Sequence, residues 1–218
     1  MLMKVFPHGT GEGDKPSRYL VRPDYPGRDT APPQVLRGDP AMTRALVDSI
    51  ERRWKFTSGV LSWHPDDKVS EEQEEEVMDA FEQVAFAGLE ADQRNILWVR
   101  HTHAGHHELH FLIPRLELSS GKDFNACPPG WQKDFDVFRD LFNWREGWAR
   151  PDDPARARDE LPKKADLFKA RMARWGKEIR ESDRDRAKEV IHAFLKEKVA
   201  RGLVRNREDI LSALKEQG

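Results

Sequence analysis

Residues 95–118 read NILWVRHTHAGHHELHFLIPRLEL, and this stretch decides how the chain folds. Two apolar runs, Asn95 to Arg100 and Glu108 to Leu118, flank Ala104-Gly105. That pattern predicts two antiparallel strands joined by a tight hairpin. A turn at 104–105 sets His103 opposite His106, His101 opposite Glu108 and Val99 opposite His110. Side chains alternate along a strand, so residues 101, 103, 106, 108 and 110 share one face. Arg100, Thr102, His107, Leu109 and Phe111 take the other. Four imidazoles and the Glu108 carboxylate thus converge on one patch. Directly opposed residues have Cβ atoms ~5 Å apart, near enough to share one metal ion. Burying so many polar groups unpaired is costly, which favours a metal site over a structural cluster. A solvated sheet edge and an adventitious metal site are the alternatives. Imidazole plus carboxylate suits Mn²⁺, Zn²⁺, Co²⁺ or Ni²⁺, and Mg²⁺ is also compatible.

The flanking sequence supplies more strands and the helices that cover them. Residues 2–7 (LMKVFP), 34–38 (QVLRG) and 56–63 (FTSGVLSW) read as strands. A glycine-rich turn, His8 to Gly13, precedes a short helix over 15–21 with Pro16 in its first turn. Four prolines make 22–33 a loop. Asp39 caps a helix that opens with Pro40 and runs to Arg53. Ser70 opens an acidic helix whose glutamates favour the dipole at its N-terminus, with Val77, Phe81, Val84 and Ala85 as its buried stripe. An aromatic-rich helix spans 131–148. A polar linker at 150–161 leads to helices over 163–180, 182–200 and 206–215. Strands joined by helices or a hairpin, followed by an all-helical tail, predict an α+β body built on a largely antiparallel sheet.

Composition narrows the class. A chain of 218 residues is one large domain, or one domain with an appendage. No apolar run reaches membrane-spanning length, and the start lacks the apolar stretch of a signal peptide. A lone cysteine, Cys127, excludes an internal disulfide framework and any zinc site built on cysteines. These features are those of a soluble, cytoplasmic protein. The net charge of −2 hides an asymmetry: 25 acidic against 18 basic residues up to Ala149, then 14 against 19. A basic tail permits a polyanionic partner without requiring one.

There are two tyrosines, Tyr19 and Tyr25. Tyr19 lies among Lys15, Arg18 and Arg22, cations that could hold a phosphodiester and favour a phenolate nucleophile. From this local sequence alone, an aromatic packed at a helix end is the commoner reading. His8 and Asp14 are candidates for its base.

Taken together the blocks carry a resemblance. In order they are the glycine-rich turn, Tyr19-Leu20, Val35-Leu-Arg-Gly-Asp-Pro40, Thr57-Ser-Gly-Val-Leu-Ser62, Ile96-Leu-Trp-Val-x-His101, Glu108-Leu-x-Phe-x-Ile-Pro114 and Leu118-x-x-Gly-Lys122. Over residues 1–150 the chain resembles the plasmid mobilization relaxases of the colicin-plasmid type, and the segment from Gly202 resembles the region that follows the nicking domain. The resemblance implies a compact antiparallel sheet flanked by helices, with a relaxase domain over 1–150 and a basic helical extension over 151–218. It implies nicking and rejoining of one strand at a plasmid origin of transfer, with a tyrosine joined to the 5′ end and a divalent metal, Mn²⁺ or Mg²⁺ foremost, polarising the phosphate. Carried over, Tyr19 matches the nucleophile, and His101, Glu108 and His110 match the metal positions. His110, a stronger nitrogen donor, stands where this subfamily has asparagine, and the exchange should tighten metal binding. His103 and His106 would add metal or phosphate contacts. Lys15, Arg18, Arg22, Arg37 and Arg115 would grip DNA, and Trp131, Trp144 and Trp148 are candidates for stacking on bases, with core packing the better expectation for most. Implied partners are single-stranded and supercoiled plasmid DNA, accessory mobilization proteins and a secretion coupling protein. It also implies that the chain is the nicking part of a longer protein. A rolling-circle initiator or single-tyrosine transposase is the nearest alternative, though those place the tyrosine after the histidines. A non-catalytic DNA-binding or metal-storage module is the other.

Overall fold

The computed structural model describes residues 1–156 and 183–215. The helix expected over 163–180 lies outside the described residues. The chain divides into two compact units, 1–157 and 158–218.

The first unit is built on a five-stranded sheet. Its strands are β1 (Leu2–Val5), β2 (Gln34–Arg37), β3 (Phe56–Ser62), β4 (Leu97–His101) and β5 (Glu108–Pro114). They lie in the order β1-β3-β5-β4-β2, and every neighbouring pair is antiparallel. The fold class is therefore α+β, as the strand and helix pattern requires. Four helices accompany the sheet: α1 (Asp14–Val21), α2 (Pro40–Asp48), α3 (Glu71–Ala85) and α4 (Gln132–Glu146).

Alternation along the strands sorts the two faces. Trp98, Leu109, Phe111 and Ile113 point to the side where α3 contributes Val77, Met78 and Phe81, and α4 contributes Phe135, Phe138 and Phe142. Phe81 is the centre of this core, with ring centroids 5.0 Å from Trp98 and 4.7 Å from Phe111. Gly59 is required beneath them, since a Cβ there would sit 2.4 Å from the Phe111 ring. On the opposite face Leu97, Val99 and Leu112 pack against Leu20 of α1 in a smaller cluster. Cys127 is buried in the larger core, and burial pushes its thiol up to about 12.

The helix starts follow local chemistry. Asp39 accepts from the Met42 amide at 2.6 Å, with Pro40 at the first position of α2. Ser70 and Gln73 form a reciprocal capping box on α3. The ends are less legible. The helix expected to reach Arg53 stops at Asp48, because Ile50 turns into the interior and its amide bonds back to Val47. The strand expected to reach Leu118 stops at Pro114. Its partner β3 has no residue beyond Phe56 in the ladder, and proline brings no amide of its own. The hairpin keeps its expected register, with His101 opposite Glu108 and Val99 opposite His110. Regular pairing ends there, however. Residues 102–107 form a loop with a turn closed by Gly105 N–H to Thr102 O, so His103 and His106 are not a ladder pair.

The second unit contains α5 (Asp183–Ala200) and α6 (Arg207–Lys215), separated by Gly202 in the left-handed region. No helix among the described residues is long and apolar enough to cross a membrane.

Candidate metal centre and nucleophile

His101 closes β4, and Glu108 and His110 open β5, so the hairpin register alone brings them together. One donor atom from each of the three lies within 4.8 Å of the others. The His101 and His110 rings are 4.4 Å apart between centroids. His110 Nε2 lies 3.2 Å from one Glu108 oxygen, and His106 Nε2 lies 3.0 Å from the other. Burial alone would raise the Glu108 carboxyl, but the hydrogen bonds from His110 and His106 outweigh it and bring it down to about 2. Glu108 is therefore a carboxylate at any working pH. Burial pushes the His101 imidazole down to about 4, so it is neutral at neutral pH.

His101 is fixed by two contacts that no motif announces. Its Nε2 lies 2.8 Å from the Leu20 carbonyl, which can only accept, so Nε2 carries the proton. Its Nδ1 then accepts from the Arg28 guanidinium at 3.3 Å. Arg28 is wholly buried. It also donates to the carbonyls of Tyr19 at 2.6 Å and Arg22 at 3.1 Å, and lies over the rings of Tyr19 and Tyr25 at 5.0 and 4.8 Å. One guanidinium thus ties the end of α1 to the end of β4. Sequence reading missed it. Arg28 sits in a proline-rich loop without periodicity, and the one local signal is the preceding Gly27, whose positive φ lets the chain turn.

Tyr19 stands on α1 with its ring 6.5 Å from His101 and 5.7 Å from Tyr25. Its side chain is 42% exposed, open to a ligand on one side. Burial and Tyr25 raise its phenol above the ordinary value, and Arg28 opposes them. His8 and Asp14 are engaged elsewhere. His8 lies against Thr57 and Trp54 near the opposite end of β3, and Asp14 pairs with Arg44 at 3.1 Å.

Of the five candidate DNA-binding cations, three lie on or next to α1, which carries Tyr19. Lys15 and the largely exposed Arg18 lie on α1, and Arg22 follows as its extended C-cap residue, paired with Asp24 at 3.0 Å. The other two lie apart. Arg37 is held by Glu75, Asp79 and Glu82 of α3, on the opposite face of the sheet. Arg115 is buried against Asp123 at 2.8 Å, about 17 Å along β5 from His110 by strand rise. Both satisfy carboxylates that a charge pattern cannot pair in advance. Trp148 is in the core and Trp131 packs against it, while Trp144 projects from α4.

The donor set fits a divalent cation. It offers two imidazoles and one ionised carboxylate at a single end of the sheet, with the Nδ1 of His103 beside them buried and without a hydrogen-bond partner. His107 belongs to the other face, where it meets Glu74, which also holds Arg100 at 2.7 Å.

Acid should loosen this centre in the metal-free protein. His101 has its pKa lowered by folding, so the unfolded chain takes up a proton first as pH falls. Stability is then full above about 6.5 and declines through about 4, by roughly 2–3 kcal/mol. Urea unfolding in EDTA between pH 7 and 4 reads this, and His101→Gln should flatten the curve.

Comparison with known proteins agrees with this geometry. A family model described as "Relaxase: MobA/VirD2-like, nuclease domain" matches residues 41–143. The chain is 39% identical over 170 residues to cryptic plasmid protein C of Neisseria gonorrhoeae, covering 77% of this chain and 80% of that protein. It is 30% identical over 224 residues to the DNA relaxase MbeA of Escherichia coli, across 100% of this chain and 39% of MbeA. The chain thus spans well under half the length of MbeA. A hairpin that gathers candidate metal donors beside an exposed tyrosine, a matching family model and a relative aligned over most of its length place the chain among the MobA/VirD2-like relaxases, as a DNA-nicking enzyme carrying their nuclease domain.

Proposed function

We propose that the chain nicks and rejoins one DNA strand at a plasmid origin of transfer by transesterification at Tyr19. The Tyr19 oxygen forms a bond to the scissile phosphorus. The bond from phosphorus to the 3′ oxygen breaks, and the phenol's proton is lost as the 3′ hydroxyl gains one. The 5′ phosphate stays joined to the protein, and attack by the 3′ hydroxyl reverses the reaction. The observation that carries this reading is the placement of the Tyr19 ring 6.5 Å from His101, at the edge of the donor set.

Each residue has a physical task. His101, Glu108 and His110 would hold a divalent cation, with His103 and His106 as neighbouring donors. A bound divalent cation would neutralise charge developing on the non-bridging oxygens. To ligate, His101 would exchange its bond to Leu20 or to Arg28. Arg28 fixes the backbone of Tyr19, so the nucleophile is aimed before DNA arrives. Lys15, Arg18 and Arg22 would hold the strand against α1. The nicking activity is assigned to residues 1–150, and the basic residues from 151 onward to non-specific contact with the same DNA.

The direct test incubates the chain with supercoiled plasmid bearing its cognate transfer origin, with Mn²⁺ or Mg²⁺ and with EDTA. Protease treatment and a denaturing gel follow. Metal-dependent nicking with protein left on the 5′ end is expected. Nicking without covalent protein would identify a water-using nuclease instead.

The cations make a separable prediction. Replacing Lys15, Arg18 and Arg22 with alanine should lower the slope of log affinity against log salt by roughly 2 on single-stranded DNA. Arg37→Ala should leave the slope unchanged and lower stability instead, because its three carboxylates on α3 lose their partner. Fluorescence anisotropy across a salt series, with urea unfolding alongside, checks both.

A further inference from the structure

A cavity lies at the same end of the sheet as the candidate metal centre. It has a volume of about 540 Å³, within the usual range for small-ligand sites, and is lined by Leu2, Ser62, Trp63, His64, His106 and the chain just after α4. Its place follows from register. Leu2 pairs with Ser62, Ser62 with Glu108, and Glu108 with His101. Directly paired residues of antiparallel strands point to the same face. One row therefore crosses four strands: His101, Glu108, Ser62, Leu2. The Tyr19 ring lies 6.5 Å from its first residue, His101, and the cavity is lined by its last two, Ser62 and Leu2. His106 belongs to both, lining the cavity and bonding Glu108 at 3.0 Å.

We propose that this cavity binds the nucleobase on the 3′-hydroxyl side of the cleaved phosphate, so that the released end is held for rejoining. The proposal rests on the nicking reaction above. In phosphoryl transfer the attacking and leaving oxygens lie roughly in line, on opposite sides of phosphorus. With Tyr19 attacking from the His101 end, the leaving 3′ oxygen and its nucleoside are directed along the row towards Ser62 and Leu2. Neighbouring strands are ~4.8 Å apart, so the cavity lies about one or two nucleotides from the metal donors.

The lining suits a base rather than a phosphate. Leu2 on the lining is 47% exposed, and the imidazoles of His64 and His106 offer flat faces for stacking. Trp63 is 2% exposed, and its indole N–H is buried without a hydrogen-bond partner, a donor suited to a base carbonyl or ring nitrogen. The one guanidinium on the lining, Arg150, is already paired with Asp152 at 2.9 Å.

The test is an abasic scan crossed with cavity variants. The probe is a single-stranded oligonucleotide spanning the cognate transfer origin, with one abasic site moved stepwise through the positions around the mapped nick. The wild-type chain should lose about tenfold in affinity when the abasic site falls one or two positions to the 3′-hydroxyl side. Leu2→Ala with His64→Ala, both surface positions, should lose about tenfold on the intact oligonucleotide and show no further loss at that abasic position. In a nuclear magnetic resonance experiment the Trp63 indole N–H signal, identified by its absence in Trp63→Phe, should shift with the intact oligonucleotide and not with the abasic one. A flat scan, or an abasic loss the cavity variant leaves untouched, overturns the cavity assignment. Nicking and covalent linkage by the wild-type chain in the same samples would then show that the proposed reaction stands without it. A wild-type chain that neither nicks nor links overturns the reaction, and the cavity assignment falls with it.

Discussion

Tyr19→Phe should bind transfer-origin DNA as tightly as the wild-type chain and fail to cut it, with nicking reduced at least ~10⁴-fold, the scale seen when a covalent nucleophile is removed. The phenyl ring keeps the contacts with Tyr25 and His101, and the Arg28 bond goes to the backbone carbonyl, which the substitution leaves in place. Loss of folding is therefore not expected, and circular dichroism with urea unfolding would verify that. Tyr25→Phe is the control. Tyr25 shares the Arg28 guanidinium and is similarly exposed, so residual cutting by Tyr19→Phe that vanishes only in the double variant would transfer the nucleophile to Tyr25. A denaturing gel after protease treatment reads every case.

Removing donors should be nearly as damaging. Single alanine substitutions at His101, Glu108 or His110 should weaken Mn²⁺ binding at least ~100-fold and lower nicking in step, since each takes away one of the three proposed donors. His103→Ala should change affinity only a few-fold, because His103 stands beside the three rather than among them. Isothermal titration of the metal-stripped chain decides between them. Equal losses at His103 and His101 would redraw the donor set. Glu108→Gln is informative in addition, because it keeps the shape while removing the charge that now faces His110 and His106.

How far the sequence reached follows from which interactions are local. The hairpin could be read because a period of two and a short turn leave one register open, and a slip of one residue would turn Trp98 and Phe111 out of the core. That register carried His101, Glu108 and His110 into one place without further information. Tyr19 could be matched to the nucleophile only through the family resemblance, since nothing within α1 specifies a packing partner. Arg28 was illegible for the same reason taken further: its three hydrogen-bonding partners lie 6, 9 and 73 residues away, and no repeat connects them. The pairing of Arg37 was hidden because charge is visible in a sequence and its neutralisation by Glu75, Asp79 and Glu82 is not. Helix starts, set by Asp39 and Ser70, were local, whereas the end of α2 was decided by where Ile50 had to be buried.

The bridge from α1 to β4 has a consequence for the life of the covalent product proposed at Tyr19. Leu20 and His101 are 81 residues apart, and Arg28 and His101 are 73 apart. A phosphotyrosyl bond is stored in one residue and survives any loss of tertiary structure. Under the proposed reaction, the ability to reverse that bond would be stored in the fold, because Tyr19 and His101 meet through both ends of the bridge. Unfolding the protein would therefore preserve the attached strand in an inert form, and refolding would restore the capacity to close it. Memory of the cut and competence to repair it are thus held at different levels of organisation of one chain.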